Sequence, residues 1–254
     1  MKSITHTITK ARPATVLFRA ASASPATHTR LTSSSSSSSS ASIQATQVPP
    51  TGPESVRLPP MPRDHIPGLL PFSPWEDELL ALVASHPIAM AFQQTHPGFH
   101  TTRAVLKPKP EFLSLNLTRS TLLGPGMLEA NPFVFVDDAK GALVAFYRVG
   151  ARLAGHRGIL HGGMTAVLLD ECLGRACFGR LERHIAVTAG LELEYKAPVR
   201  TGRFIVISAR TVDVQGRKAW VEAEVSDAMD GEVLVAAKGL FIEPKWAAKM
   251  SSVV

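Results

Sequence analysis

Acidic residues are absent from the first 53 positions of this 254-residue chain; the first is Glu54. Residues 1–45 carry five basic residues, Lys2, Lys10, Arg12, Arg19 and Arg30, which leaves 22 of the 27 basic residues to face all 21 acidic ones. The net charge of +6 therefore belongs mostly to the leader, and the remainder offers no basic surface that calls for nucleic acid. Cysteine is equally scarce. Cys172 and Cys177 are five residues apart, which on a helix sets them about 140° apart around the axis. That spacing does not suit a disulfide, and two thiols alone make a poor metal site. They read as small buried apolar residues in a reducing compartment. No apolar run approaches the roughly 20 residues of a membrane-spanning helix. No Gly-x-Ser-x-Gly elbow marks an α/β serine hydrolase. No phosphate-binding or dinucleotide-binding glycine loop appears, and no zinc-type Cys/His spacing, so neither metal nor cofactor is expected. There is no internal repeat.

What is present divides the chain into four parts. Residues 1–45 are rich in Ser, Thr and Ala, basic and acid-free, the composition of a transit peptide. Ser33 to Ser40 is an unbroken serine run with nothing to bury, so a disordered leader is expected. A mitochondrial address follows, or a cytoplasmic one if the leader is not a transit peptide. Residues 46–73 are a proline-rich linker. Residues 74–130 form an N-terminal helix and extension. In it Ser73 is the expected N-cap, Pro74 fits the first turn, Glu76 completes a capping box, and His86-Pro87 stops the helix. Residues 87–125 show no clear period, and Lys107 to Pro110 reads as loop.

Residues 131–245 form the main domain. Strands are expected at 133–137, 142–149, 186–195, 203–213, 217–227 and 232–242, with a helix at about 162–178. Leu191, Leu193 and Tyr195 alternate with Glu192 and Glu194, and Ala219 to Val225 alternate with charged residues and Trp220. Such alternation gives strands with one wet face. Gln215-Gly216 and Asp230-Gly231 read as hairpin turns. The expected fold is α+β: an antiparallel sheet wrapped around one nearly all-apolar central helix.

The chemistry centres on His161-Gly162-Gly163 and on Asp170, nine residues after that histidine. A helix N-terminus presents unpaired N–H groups and the positive end of the helix dipole, and holds a developing oxyanion. A carboxylate two turns further along an apolar helix is costly to bury without a purpose. Its structural alternative is pairing with Arg175. Glu171 lies about 100° around the helix; it is the other candidate acid, or faces a polar neighbour or an interface.

His161-Gly162-Gly163, the spacing to Asp170, Gly124-Pro125-Gly126, and Tyr195-Lys196-Ala197-Pro198-Val199 together resemble the hotdog-fold acyl-CoA thioesterases, over roughly residues 120–243. The nearest types are the phenylacetate-pathway enzymes and their mitochondrial thioesterase-superfamily relatives. The resemblance implies a hotdog fold and hydrolysis of acyl-CoA to free acid and CoA. Catalytic roles fall to Asp170 as base or nucleophile, Gly162 N–H as oxyanion donor, His161 in ordering the loop, and Thr188, eighteen residues after Asp170, in positioning water. Substrate contacts fall to Gly163, His156, Arg157, Lys196 and Arg200, the basic ones toward coenzyme A phosphates. It also implies a homodimer or dimer of dimers with the site between subunits. Some relatives place asparagine six residues before the motif histidine; this chain has Gly155. The alternatives are a hotdog hydratase or dehydratase and a non-catalytic acyl-CoA-binding regulatory protein.

Overall fold

The computed structural model describes Leu70 and residues 73–247; the leader and nearly all of the linker lie outside the described residues. In chain order the elements are α1 (Glu76–Ser85), α2 (Pro87–Thr95), β1 (His100–Thr102), β2 (Phe133–Asp137), β3 (Ala142–Val149), β4 (Ala154–His156), β5 (Ile159–Leu160), α3 (Gly162–Phe178), β6 (Val187–Tyr195), β7 (Arg203–Gln215), β8 (Lys218–Asp227) and β9 (Val233–Ile242). A 3₁₀ turn at Pro110–Leu115 and a π turn at Leu117–Thr121 lie between β1 and β2. Seven strands form one antiparallel sheet in the order β1-β2-β3-β7-β8-β9-β6, and β4 and β5 form a small hairpin. The two hairpin turns expected after β7 and β8 carry glycines at positive φ, Gly216 at 57° and Gly231 at 73°.

The sheet curls around α3 because that helix is apolar on almost every side. Leu168, Leu169, Cys172, Leu173 and Cys177 are fully buried against Val134, Leu143, Ile207, Val225 and Val235. This is the hotdog arrangement.

The outer face of the sheet carries a second core. Phe133 and Phe135 of β2, Val144 and Phe146 of β3, and Val206 of β7 pack under Leu79, Val83 and Phe92 of the two N-terminal helices. β2 and β3 are therefore buried at every position. Their sequences, FVFVD and ALVAFYRV, are apolar on both faces apart from Asp137 and Arg148, because both faces are covered.

The expected capping of α1 is corrected: Trp75, not Ser73, stands at the N-cap, while the expected stop at His86-Pro87 holds. Glu76 does not close a capping box: its carboxylate pairs with the buried Arg103 guanidinium, with Nη2 to Oε2 at 2.9 Å. Ser73 Oγ accepts from Trp75 N at 3.1 Å and donates to Glu129 O at 2.7 Å. His86-Pro87 ends α1 but starts α2 at once. His86 Nδ1 accepts from Ile88 N at 3.2 Å, and Nε2 lies 3.1 Å from Ala228 O. Burial lowers the pKa of His86, partly offset by the Ala228 hydrogen bond, which suits a neutral ring accepting at one nitrogen and donating at the other.

The second core makes α1 part of the domain's cooperative unit. Leu79→Ala should lower unfolding stability by about 2–5 kcal/mol, with one urea transition retained. The exposed Leu115→Ala should stay within about 0.5 kcal/mol. A Leu79→Ala protein as stable as the parent would show that α1 only rests on the sheet.

Candidate active site

α3 starts where it does because His161 is extended (φ −61°, ψ 128°) and caps it. His161 Nδ1 accepts from Gly163 N at 3.0 Å. Its carbonyl accepts from Met164 N at 2.8 Å and Thr165 N at 3.2 Å. Three of the first four helix donors are thus satisfied within the turn. Gly162 N–H has no partner among the described residues, and it stands at the positive end of the helix. His161 is itself fixed through its N–H to Leu153 O at 2.9 Å. A side chain at Gly155 would begin 3.1 Å from the His161 Cα and imidazole Cδ2, so the position taken by asparagine in some relatives is pressed against the capping histidine.

Asp170 lies on the partly exposed edge of α3. Thr188 Oγ1 donates to its Oδ1 at 2.7 Å. Arg175 is not its partner; that guanidinium pairs with Asp138. The reach of Thr188 depends on an irregularity in β6. Leu191 and Leu193 turn toward the helix core, and by strict alternation Thr188 would turn away. The register against β9 shifts between Thr188 and Gly190, leaving Ala189 as an extra residue. This bulge reverses the side-chain parity and brings Thr188 onto Asp170. At the other end of β6, Tyr195 OH donates to Gly162 O at 2.8 Å. Sequence reading gives no role to Tyr195, and a contact across 33 residues leaves no mark in local spacing.

The basic residues expected near the substrate gather around the helix start. His156 and Arg157 flank the exposed turn of the β4–β5 hairpin. Ile159 bridges Arg200, and Thr201 N donates to Gly158 O at 3.1 Å, which seats that turn beside Arg200. Lys196 directly follows Tyr195. None of Arg157, Lys196 and Arg200 has an ion-pair partner among the described residues. Unpaired cations around one opening suit a polyanionic ligand.

Glu171 lies apart from this opening. Its carboxylate oxygens are each 2.8 Å from Thr118 Oγ1. A small cavity beside it is lined by Tyr147, Leu123, Leu128 and Arg119. Burial pushes its pKa up to about 7; the Thr118 hydrogen bond pulls it down, Asp170 pushes it up and Arg119 pulls it down. Burial also pushes the Cys172 and Cys177 thiols up, the latter to about 12, so both are unreactive at neutral pH.

A separate cavity of about 720 Å³ lies between α2 and the outer face of the sheet, with Phe92, His96, Ser208, Glu224 and Lys238 among its walls. Its Arg210 and Glu222 pair across strands at 2.9 Å. It lies across the sheet from α3 and contains none of the helix-end donors, so its size does not make it the reactive site. Among the described residues no three potential ligands cluster as a metal site, and no helix is long and apolar enough to cross a membrane.

The Glu171 environment yields a pH signature. A raised pKa means that the native state keeps its proton where the unfolded chain has lost it. Stability from this group therefore falls as pH rises from the ordinary carboxyl value of 4.5 to about 7, and is level above that. Glu171→Gln keeps the acceptor for Thr118 and removes the penalty. Urea titrations should show the variant gaining on the parent across that window, by about 1–3 kcal/mol at the upper end. A constant difference at all pH values would contradict the buried carboxyl.

Part of the chain is similar to known proteins. Residues 157–234 match the thioesterase superfamily, a span from the β4–β5 turn through α3 to the start of β9. The chain is 32% identical to an uncharacterized mitochondrial protein of Candida albicans (strain WO-1), over 49% of this chain and 58% of that protein. It is 29% identical to the acyl-coenzyme A thioesterase THEM4 of Rattus norvegicus, over 50% of this chain and 52% of that enzyme. The solved thioesterase superfamily member 2 from Mus musculus superposes with a TM-score of 0.39 at 22% identity, over 44% of this chain and 88% of that one. The chain spans about half the length of the curated relatives it matches. An antiparallel sheet wraps α3, and the match to the thioesterase superfamily runs through the whole of that helix.

Proposed function

We propose that the protein hydrolyses acyl-CoA thioesters to a free carboxylic acid and CoA, with Asp170 as general base. The observation that carries the reading is the Thr188–Asp170 hydrogen bond at 2.7 Å on the same helix whose first N–H is left without a partner. Thr188 engages Oδ1 of the carboxylate, which leaves Oδ2 to take a proton from water. That water adds to the thioester carbonyl carbon, and the carbonyl electrons move onto oxygen, where Gly162 N–H stabilises the oxyanion. The tetrahedral intermediate collapses, the C–S bond breaks, and the thiolate leaves and takes up a proton. Arg157, Lys196, Arg200 and His156 are assigned to the phosphates of the CoA moiety, and Gly163 to the wall beside the carbonyl.

One chain does not bring these groups together. Asp170 is eight residues beyond Gly162, about 12 Å along a helix. A homodimer resolves this, with Asp170 of one copy facing Gly162 of the other. The nine-residue β6 is the outermost strand on its side of the sheet, with Val187 and Tyr195 exposed, and such an edge invites pairing. The acid-free leader supports import into mitochondria, the place named for one of the relatives.

Release of free thiol from a panel of acyl-CoAs tests the reading. Asp170→Asn should leave the fold intact and lower kcat by about 10²–10⁴, while Glu171→Gln costs far less. Removing residues 1–45 should keep turnover within about twofold, since the leader cannot build a core, and should move a tagged protein out of mitochondria. Binding without thiol release would make the protein an acyl-CoA binder. A changed double bond would make it a hydratase. Either result sinks the proposal.

A further inference from the structure

Tyr195 ends β6 and is half exposed, with no part in the chemistry above. Its hydroxyl donates to Gly162 O at 2.8 Å. Its ring closes on the same residue: a Cβ added to Gly162 would lie 3.3 Å from the tyrosine oxygen and 3.4 Å from Cζ, so glycine is what permits the approach. The other end of that peptide unit, Gly163 N–H, donates to His161 Nδ1 at 3.0 Å. One peptide is thus gripped at its oxygen from β6 and at its hydrogen from the cap. It lies immediately after the N–H that has no partner. Consecutive glycines are the loosest stretch a backbone can have, and a hydrogen-bond donor stabilises developing charge only when it is already aimed.

We propose that Tyr195 is a positioning residue: it clamps the Gly162–Gly163 peptide from the β6 edge and so aims Gly162 N–H at the thioester carbonyl oxygen. The inference rests on the proposed hydrolysis and adds a residue to it. The same strand then holds both functional positions of α3, Asp170 through Thr188 and Gly162 through Tyr195. A purely structural tether between β6 and α3 is the competing account, and the two differ in what they move.

Tyr195→Phe keeps the ring and deletes the hydroxyl. In the full-length protein kcat should fall about tenfold, because misaiming a reacting group by a fraction of an ångström is costly. KM should stay within about threefold, and the thermal midpoint should barely change. With glycine-selective ¹⁵N labelling, amide hydrogen exchange at Gly162 and Gly163 should quicken severalfold, while exchange at Gly174, deep in the helix, stays constant. Unchanged kcat in an active parent overturns the proposal. So does a fall in kcat that tracks a fall in thermal midpoint without faster exchange at the two glycines. If the parent releases no thiol from any acyl-CoA, the hydrolysis reading fails by itself. The exchange rates still decide the clamp: faster exchange supports it, and unchanged exchange removes it.

Discussion

Burial of α3 is the constraint on which the rest of the molecule depends. Leu168, Leu169, Cys172, Leu173, Ala176, Cys177 and Phe178 occupy several sides of one helix and are all buried. No flat sheet covers such a helix, so the antiparallel strands must curl around it. Ala166, Val167 and Glu171 are only partly covered, and so are the first turn at Gly162-Gly163 and the edge at Asp170. The last two are a helix end that favours negative charge and a carboxylate.

β6 converts that exposure into geometry. A regular strand would present Leu191, Leu193 and Tyr195 to the helix and turn Thr188 away; one extra residue at Ala189 allows both sets to face inward. The strand is also one of the two edges of the sheet, opposite β1. The strand that holds both Asp170 and Gly162 is therefore also the edge assigned to the proposed homodimer. Glu171, one residue from Asp170, shows the contrast in environment. It is held against Thr118 and away from the cationic rim, and its carboxyl carries a burial penalty.

The six long strands and α3 were legible in the sequence, β6 and β8 from their alternation and β2, β3 and α3 from apolar runs bounded by turn residues, whereas the short β1, β4 and β5 were not. The bounds of β2 and β3 agree with the expected 133–137 and 142–149, and α3 with 162–178. β7 runs two residues past its expected end at 213, since its exposed last residues have no packing signal. The N-terminal part was less legible. Pro87 reads as a stop, yet it is also the first residue of α2, with His86 as its side-chain cap and the His86 ring anchored on Ala228. Glu76 fits a capping box by spacing, yet the buried Arg103 claims its carboxylate from 27 residues away. At the site, the identities of His161, Gly162 and Asp170 stand out from local pattern. The contacts of Thr188 and Tyr195 do not, because one depends on a bulge and the other on a long-range approach to a glycine.

Complementation between two inactive subunits tests the central claim most directly. Gly162→Pro removes the proposed donor where the backbone suits proline, since the residue before it is already extended and the position is the first of the helix; its added carbons press on the Tyr195 ring, so fold and dimer are checked for this variant first. Asp170→Asn removes the base. Each variant homodimer should be nearly inactive. A mixed dimer, isolated by tandem tags after co-expression, should contain one complete site, with Asp170 from the Gly162→Pro subunit facing Gly162 from the Asp170→Asn subunit. Activity recovering toward half that of the parent is the predicted result. A folded mixed dimer with no recovery would contradict a site shared between two copies.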